Sequence, residues 1–311
     1  MDGKTAIYQL ADLLQEGTTS TFMENKLSYD VIYEAVCALN QELKLMTATQ
    51  DIATVASTRT YDINANFLCL DVSNDDNEYV VKYYDTSSYY WIKYREQNSC
   101  YQDNNTSDQS IPNYFSIVDE SSLPSNITGT ATSDGSSSGG ECTLTDSTAP
   151  FTSATVQAGD LIHNTTDGSY GVVMEYLTTS TLKTALFGGT NNDWTSSDAY
   201  VLVPQSRRQL YIDPPSETAG HTITLKYICK PDPVYSSYRS YRIPSHYMPA
   251  VIKYAAWLYK YRDREPNFGD AWFKFWDTQL RKYKANENRL PDKHRFRVNF
   301  KRNSLGYKSE R

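Results

Sequence analysis

Thr222-Ile223-Thr224-Leu225-Lys226-Tyr227 alternates polar and apolar residues with a period of two, as a strand does when it buries one face and shows the other to water. The same texture begins upstream, at Leu210-Tyr211-Ile212-Asp213-Pro214-Pro215. Downstream, Pro231, Pro233 and Pro244 impose an extended connector, because proline fixes φ and disfavours helix in the residue before it. Helical spacing then takes over. One helix is expected from about His246 to Arg264, with Met248, Ile252, Ala255 and Tyr259 on one face, and Pro266 marks its break. A second runs to about Asn288 and turns Phe268, Trp272, Phe275, Trp276, Leu280 and Tyr283 inward.

Working toward the N-terminus, Ile7, Leu10 and Leu14 recur at helical spacing until Gly17. Tyr29, Ile32, Val36, Leu39, Leu43 and Met46 follow a three-four rhythm, which aligns them in a single stripe that must pack on other helices. An ordinary core face accounts for this stripe better than an oligomer seam. After Thr47 the texture becomes Thr, Val, Ile and Tyr with period-two stretches, read as short antiparallel strands: Ile52 to Ile63, Phe67 to Val72 and Glu78 to Tyr84. Ser121 to Gly140 is loop-like, with Ser133 to Gly140 as a flexible linker or long turn. Residues 141–203 place strands around Val156, Leu161-Ile162, Val172-Val173, Thr181-Leu182 and Ala199 to Val203, between Gly-Asp and Gly-Gly turns, which suggests a small sandwich or barrel.

The fold expected is therefore α+β: a bundle of about four helices with an antiparallel β wing, an inserted small all-β domain and an extended C-terminal tail. The parts are residues 1–125 (first half of the core), 126–205 (inserted β-domain), 206–292 (second half of the core) and 293–311 (basic tail). Residues 281–311 carry 11 Lys and Arg against Glu287, Asp292 and Glu310, a balance of +8, which leaves −15 of the total −7 for residues 1–280. An acidic body with a basic arm points to interaction rather than to fold.

Catalytic signatures are sparse. His163, His221, His246 and His294 are dispersed, and Gly135 to Gly140 lacks the following lysine of a phosphate cradle, so neither a metal nor a cofactor is expected. Cys37, Cys69, Cys100, Cys142 and Cys229 form no C-x-x-C pair and read as reduced thiols. No apolar run is long enough for a membrane span, and the first residues do not form a secretory signal. Asp160, Asp167, Asp193 and Asp198 lie in tight turns, where Asx chemistry explains them better than a calcium ion. Tyr238, Arg239, Tyr241, Arg242, Lys253 and Arg262 interleave aromatic and basic residues; a partly interfacial helix face is preferred here to a grip on nucleic acid. The 26 tyrosines, including Tyr83, Tyr84, Tyr89 and Tyr90, suit wet interfaces.

The tail is the most informative local pattern. Phe296, Val298 and Phe300 share one side of an extended segment, and Arg295, Arg297, Asn299 and Lys301 the other, with Arg302 following. Three readings stand: a strand added to a partner's sheet edge, self-pairing, and a nucleic-acid-binding arm.

The order of elements resembles the head-to-tail adaptor (connector) proteins of tailed phages. The likeness rests on two N-terminal helices leading into Tyr61-Asp62-Ile63 and Phe67-Leu68-Cys69-Leu70, read as a strand pair, on Leu210 to Pro215 with Gly220, Ile223 to Tyr227, Pro231 and Pro233, and on Ile243-Pro244, Tyr247 and Tyr254-Ala255-Ala256. It covers residues 1–125 and 206–311, with Asn64 standing where the family has proline. The resemblance implies a non-enzymatic virion protein at the head-tail junction, made in the host cytoplasm, that forms a ring of roughly twelve copies. Its implied partners are the portal, through Arg295, Phe296, Arg297, Val298, Phe300, Lys301 and Arg302, a tail nozzle, hub or fibre protein below, and genomic DNA passing without sequence-specific contact. The helices, packed through Ile32, Val36, Leu39, Leu43, Trp272, Trp276 and Leu280, would form the ring wall, with the β-domain facing outward or downward. The alternative is a glycan- or receptor-binding virion module built on the β-domain.

Overall fold

A computed structural model describes residues 1–16, 26–70, 80–96, 111–119, 124–148, 151–262 and 266–287. Helix α1 (Gly3–Leu14) starts behind Asp2, whose carboxylate accepts the Thr5 N–H at 2.7 Å, and stops at Gln15 in the left-handed region (φ 57°). Helix α2 is Lys26–Leu43. Strands β1 (Thr47–Ala53), β2 (Thr60–Asp62), β3 (Phe67–Leu70), β4 (Val81–Tyr84), β5 (Tyr89–Tyr94) and β6 (Tyr114–Asp119) follow. The next six are β7 (Ile127–Thr130), β8 (Cys142–Thr145), β9 (Leu161–Asn164), β10 (Ser169–Thr178), β11 (Thr181–Phe187) and β12 (Ala199–Val203). After β13 (Arg208–Asp213) and β14 (Thr222–Cys229), a 3-10 turn at Ser245–Tyr247 leads into α3 (Met248–Arg262) and α4 (Pro266–Glu287).

Eight strands form one sheet in the order β1-β14-β4-β5-β6-β13-β2, with β3 also on β14; all pairs are antiparallel except β5–β6. The alternation in β14 puts Ile223, Leu225 and Tyr227 into a core shared with Val81, Ile92 and Leu210, over which the sheet curls. The other six strands form a second sheet, β7-β12-β9-β10-β11-β8, drawn entirely from residues 127–203. Because β6 and β13 are direct neighbours (Ile117 opposite Leu210), the chain leaves the first sheet, builds the second and returns to the adjacent position.

The hairpin β10–β11 explains how the second sheet is seated. Its continuous apolar run is buried on both faces. Val173, Leu182 and Leu186 face the sheet's own core around Trp194 and Tyr200, whereas Val172, Met174, Ala185 and Phe187 join the core of the helical layer beside Tyr29 and Tyr235. At Gly171 a Cβ would stand 1.7 Å from the Ala185 carbonyl oxygen, so only glycine lets these two backbones approach.

This architecture corrects the expected helical bundle with a small β wing. The described chain is mostly β, two curled sheets of eight and six strands, with four helices. The physical reason lies in pairing. Residues 208–229 and 47–119 pool their short strands into one sheet, which no local pattern announces. Tyr61 to Ile63 and Phe67 to Leu70 are not partners of each other: β2 pairs with β13 and β3 with β14. The expected loop from Ser121 to Gly140 contains β7, and its glycine-rich part is held down, with Gly135 N–H donating to Trp194 and the Gly139 carbonyl accepting from Ser237 N–H. Val156, expected in a strand, is buried in a turn segment instead.

Candidate functional site

The outward face of the eight-stranded sheet gathers large aromatic and basic side chains. Register places Ala53, Thr222, Tyr84 and Tyr89 in one row across four strands, and Asp51, Thr224, Lys82 and Trp91 in the next. A third pairs Thr49 with Lys226 and, on the far side, Lys93 with Tyr114. Tyr89 is 60% exposed, Trp91 48% and Tyr114 37%. These rings are ordered among themselves: Tyr84 and Tyr89 stack at 4.5 Å with 26° between planes, and Lys82 Nζ sits 3.8 Å from the Tyr89 centroid and 5.6 Å from that of Trp91. The Arg95 guanidinium lies over Tyr114 at 4.8 Å. Cation–π contacts of this kind fix a lysine that would otherwise sweep through solvent.

The face is braced from beneath and from its end. Tyr83, between Lys82 and Tyr84, points inward; its hydroxyl lies 2.5 Å from His221 Nδ1 and 2.9 Å from Ser216 Oγ. A serine, a tyrosine and a histidine so arranged resemble a catalytic relay. However, Ser216 is buried and donates its proton to the Thr218 carbonyl at 2.8 Å, so the group is a clamp on the chain before β14. The β4–β5 turn closes on Asp85, whose Oδ1 accepts from Ser88 N–H (2.6 Å), Ser87 N–H (2.8 Å) and Ser87 Oγ (2.8 Å). These bonds, the Ser88 amide first, hold the Asp85 carboxyl down to about 2.

A second aromatic surface lies on the helical layer. Trp257 packs on Phe273 (4.8 Å) and Tyr261 (6.0 Å), and Tyr254 on Trp276 (4.7 Å). Tyr261 remains 62% exposed and Phe273 41%. Gly269 allows the approach, since a Cβ there would meet the Trp257 ring at 3.1 Å.

Of the residues singled out in the sequence, Ile32, Val36 and Leu39 are fully buried in the helical core with Trp276, while Leu43, Trp272 and Leu280 pack half-buried at its edge. Arg295, Phe296, Arg297, Val298, Phe300, Lys301 and Arg302 lie outside the described residues, as do Cys100 and His294. The interleaved segment after Tyr235 does not form one face. Tyr241 is buried, Arg239 pairs with Glu141 and Glu175, Arg242 with Asp232, and Lys253 sits over the Phe275 ring. The four turn aspartates act within the fold: Asp160 accepts from Gln157 and Gln205 N–H, Asp198 from Thr195 N–H and Asn164, Asp193 from Trp194 N–H, and Asp167 from Asn164. Among the described residues no three His, Cys, Asp or Glu are grouped to hold a metal. Burial raises the thiols of Cys37 to about 11 and Cys142 to about 12, so both stay protonated at neutral pH.

The tyrosine cluster stands out in the amino-acid sequence, but its partners Lys82, Trp91, Lys93, Arg95 and Tyr114 do not. The signal was present, since Lys82/Tyr84 and Tyr89/Trp91/Lys93 each recur at period two and so share a face. The chain matches no protein-family model and no curated protein.

Proposed function

We propose that this chain is a structural virion subunit that forms a ring at the head-to-tail junction of a tailed phage, beneath the portal, and continues the channel through which DNA passes. One observation carries the reading: the chain bears two unlike exposed aromatic surfaces, one on the eight-stranded sheet and one on α3 and α4. A subunit in a closed ring needs two different patches, because each copy contacts one neighbour through each. The order of elements supports it too, with helices at the start and end of the described chain and a module inserted between adjacent strands. The acidic balance of residues 1–280 suits a wall along which DNA slides, since a basic lining would hold phosphates by counterion release. The basic tail from Lys293 is assigned to the portal, and the six-stranded module to a protein of the tail.

Mass measurement of the purified chain with and without portal tests this. The expected result is a particle many times the 35.4 kDa of one chain, with portal binding lost on deletion of residues 293–311. A chain that stays monomeric and ignores portal overturns it.

A further inference from the structure

We infer that the alternating segment Phe296 to Phe300 docks on its own subunit, as a strand added to the free edge of β1, with its apolar side toward a cavity at the start of that strand.

Hydrogen bonding leaves one edge of β1 open. Cys229 N–H donates to the Met46 carbonyl at 3.1 Å and Thr54 N–H to the His221 carbonyl at 2.8 Å, so the even-numbered positions of β1 are the ones bonded to β14. The N–H and C=O groups of Thr47, Thr49, Asp51 and Ala53 point the other way, and among the described residues none of them has a backbone partner. They point toward β2, whose pairing is with β13. Between β1 and β2 a carboxamide stands in for the ladder: Gln50 Nε2 donates to the Asp62 carbonyl at 3.1 Å, and Gln50 Oε1 accepts from Asn64 N–H at 2.9 Å. Past Gln50, toward Thr47, lies a cavity of 350 Å³ lined by Leu45, Met46, Thr47, Ala48, Asn66 and Cys229. That is room for an aromatic side chain.

The end of α4 selects the occupant. Lys284 pairs with Glu42 in the last turn of α2, and the Tyr283 hydroxyl donates to the His246 carbonyl at 3.0 Å, so α4 finishes beside the residues that lead into β1. The described part of the chain stops at Glu287. The nine residues from there to Phe296 span about 30 Å when extended, enough to reach any part of a strand of seven residues. Paired with β1, Phe296, Val298 and Phe300 take the inward side with Ala48 and Ile52, which already pack on the core of the eight-stranded sheet. Arg295, Arg297 and Lys301 then lie outward beside exposed Thr49 and Asp51, away from Lys230 and Arg242, which line the cavity with Asp232. An open strand edge and an uncovered alternating segment are each templates for aggregation, and this pairing covers both. On the ring reading, portal competes with β1 for the segment, and a free chain keeps its attachment strand covered until portal is met. Only this consequence rests on that reading.

Hydrogen exchange followed by nuclear magnetic resonance tests the docking on three proteins: the full chain, the chain ending at Asp292, and the full chain carrying Phe296→Asp with Phe300→Asp. Ile212, whose N–H donates to the Arg59 carbonyl at 2.8 Å, reports that each is folded. The Thr47 and Thr49 amides are expected to exchange about tenfold or more slowly in the full chain than in either variant, at every protein concentration. A synthetic peptide of residues 293–311 is expected to restore that protection to the shortened chain. Equal exchange in all three proteins overturns the inference and leaves the ring reading standing. Protection that grows with protein concentration assigns the segment to a neighbouring copy and overturns docking on its own subunit. Added portal is expected to return both amides to fast exchange; portal that binds while they stay protected overturns the competition. A chain with tail-dependent protection that ignores portal keeps the docking and overturns the ring reading.

Discussion

The six-stranded sheet buries its polar side chains, whereas the eight-stranded sheet shows large aromatics to solvent. In the smaller sheet Asp146, Asp160, Asn164, Thr184 and Asp198 are all buried, and each is bonded: Tyr200 donates to Asp146 at 2.9 Å, Asn164 to Asp198 at 2.9 Å and the Trp194 indole to Thr184 at 2.9 Å. A satisfied buried network specifies one arrangement and is costly to disturb. The larger sheet has a core of aliphatic and tyrosyl residues on one side and, on the other, an ordered row of rings and cations. Two tryptophans, Trp91 within β5 and Trp194 in the loop between β11 and β12, thus have different surroundings. Trp194 is buried in the core of its module, whereas Trp91 is half-exposed beside Lys82 on the outer row.

That contrast predicts the largest effect. Trp194→Ala removes a ring only 2% exposed, its bond to Thr184 and its edge contact with Tyr200, and should cost about 3–5 kcal/mol in urea unfolding. Trp91→Ala should stay within about 0.5 kcal/mol, the range of an exposed substitution. Equal losses would show that the outer row is part of the fold rather than a surface.

A smaller effect is expected where the two sheets are tied through the helical layer. Glu141, next to β8, accepts from Ser236 Oγ at 2.8 Å and from Arg239, which also reaches Glu175 on β10 at 2.7 Å. Burial opposes ionisation of Glu141, but the bonds from Ser236 and Arg239 prevail and hold its carboxyl below the ordinary glutamate value. Arg239→Ala strips one partner from this half-buried carboxylate and should cost about 1–3 kcal/mol. If the six-stranded sheet is seated on the helices as firmly as β10–β11 suggests, unfolding of the variant should still be one transition, read by far- and near-ultraviolet circular dichroism together. Two separated transitions would show that Arg239 is what couples the parts.

Much of this was legible from local pattern and some was not. The stripe of Ile32, Val36 and Leu39 and the alternation of β14 were readable because each repeats a period over several turns or residues. The balance of helix and sheet was misjudged because it depends on pairing: β2, three residues long, has meaning only against β13, about 150 positions away. Strand β7 hid in a stretch of Asn, Thr, Gly and Ser whose turn propensity is overridden by pairing with β12. The candidate face was half visible. Tyr84 and Tyr89 stood out as a cluster, but that Lys226 and Lys93 lie on the same side follows only from the register of four strands.

The smallest expected effect concerns the end of the outer row. Asp85 closes the β4–β5 turn and is fully exposed, so its contribution is local and open to screening by salt. Its carboxyl is held at about 2, below the ordinary 3.8, by hydrogen bonds to the charged form from Ser88 and Ser87. A depressed folded-state value means that the unfolded turn binds protons first as pH falls. The stabilisation is therefore complete above about 4 and lost between about 4 and about 2 as the carboxylate is protonated. In that window the Tyr84–Tyr89 stack should loosen before either core responds, seen as a fall in near-ultraviolet circular dichroism with far-ultraviolet signal unchanged. Asp85→Asn keeps an oxygen acceptor for the two amides but cannot titrate, and should abolish this acid step while leaving the turn closed at neutral pH. An acid step that persists in Asp85→Asn would place its origin elsewhere, and the order of the outer row would then not depend on how its turn is closed.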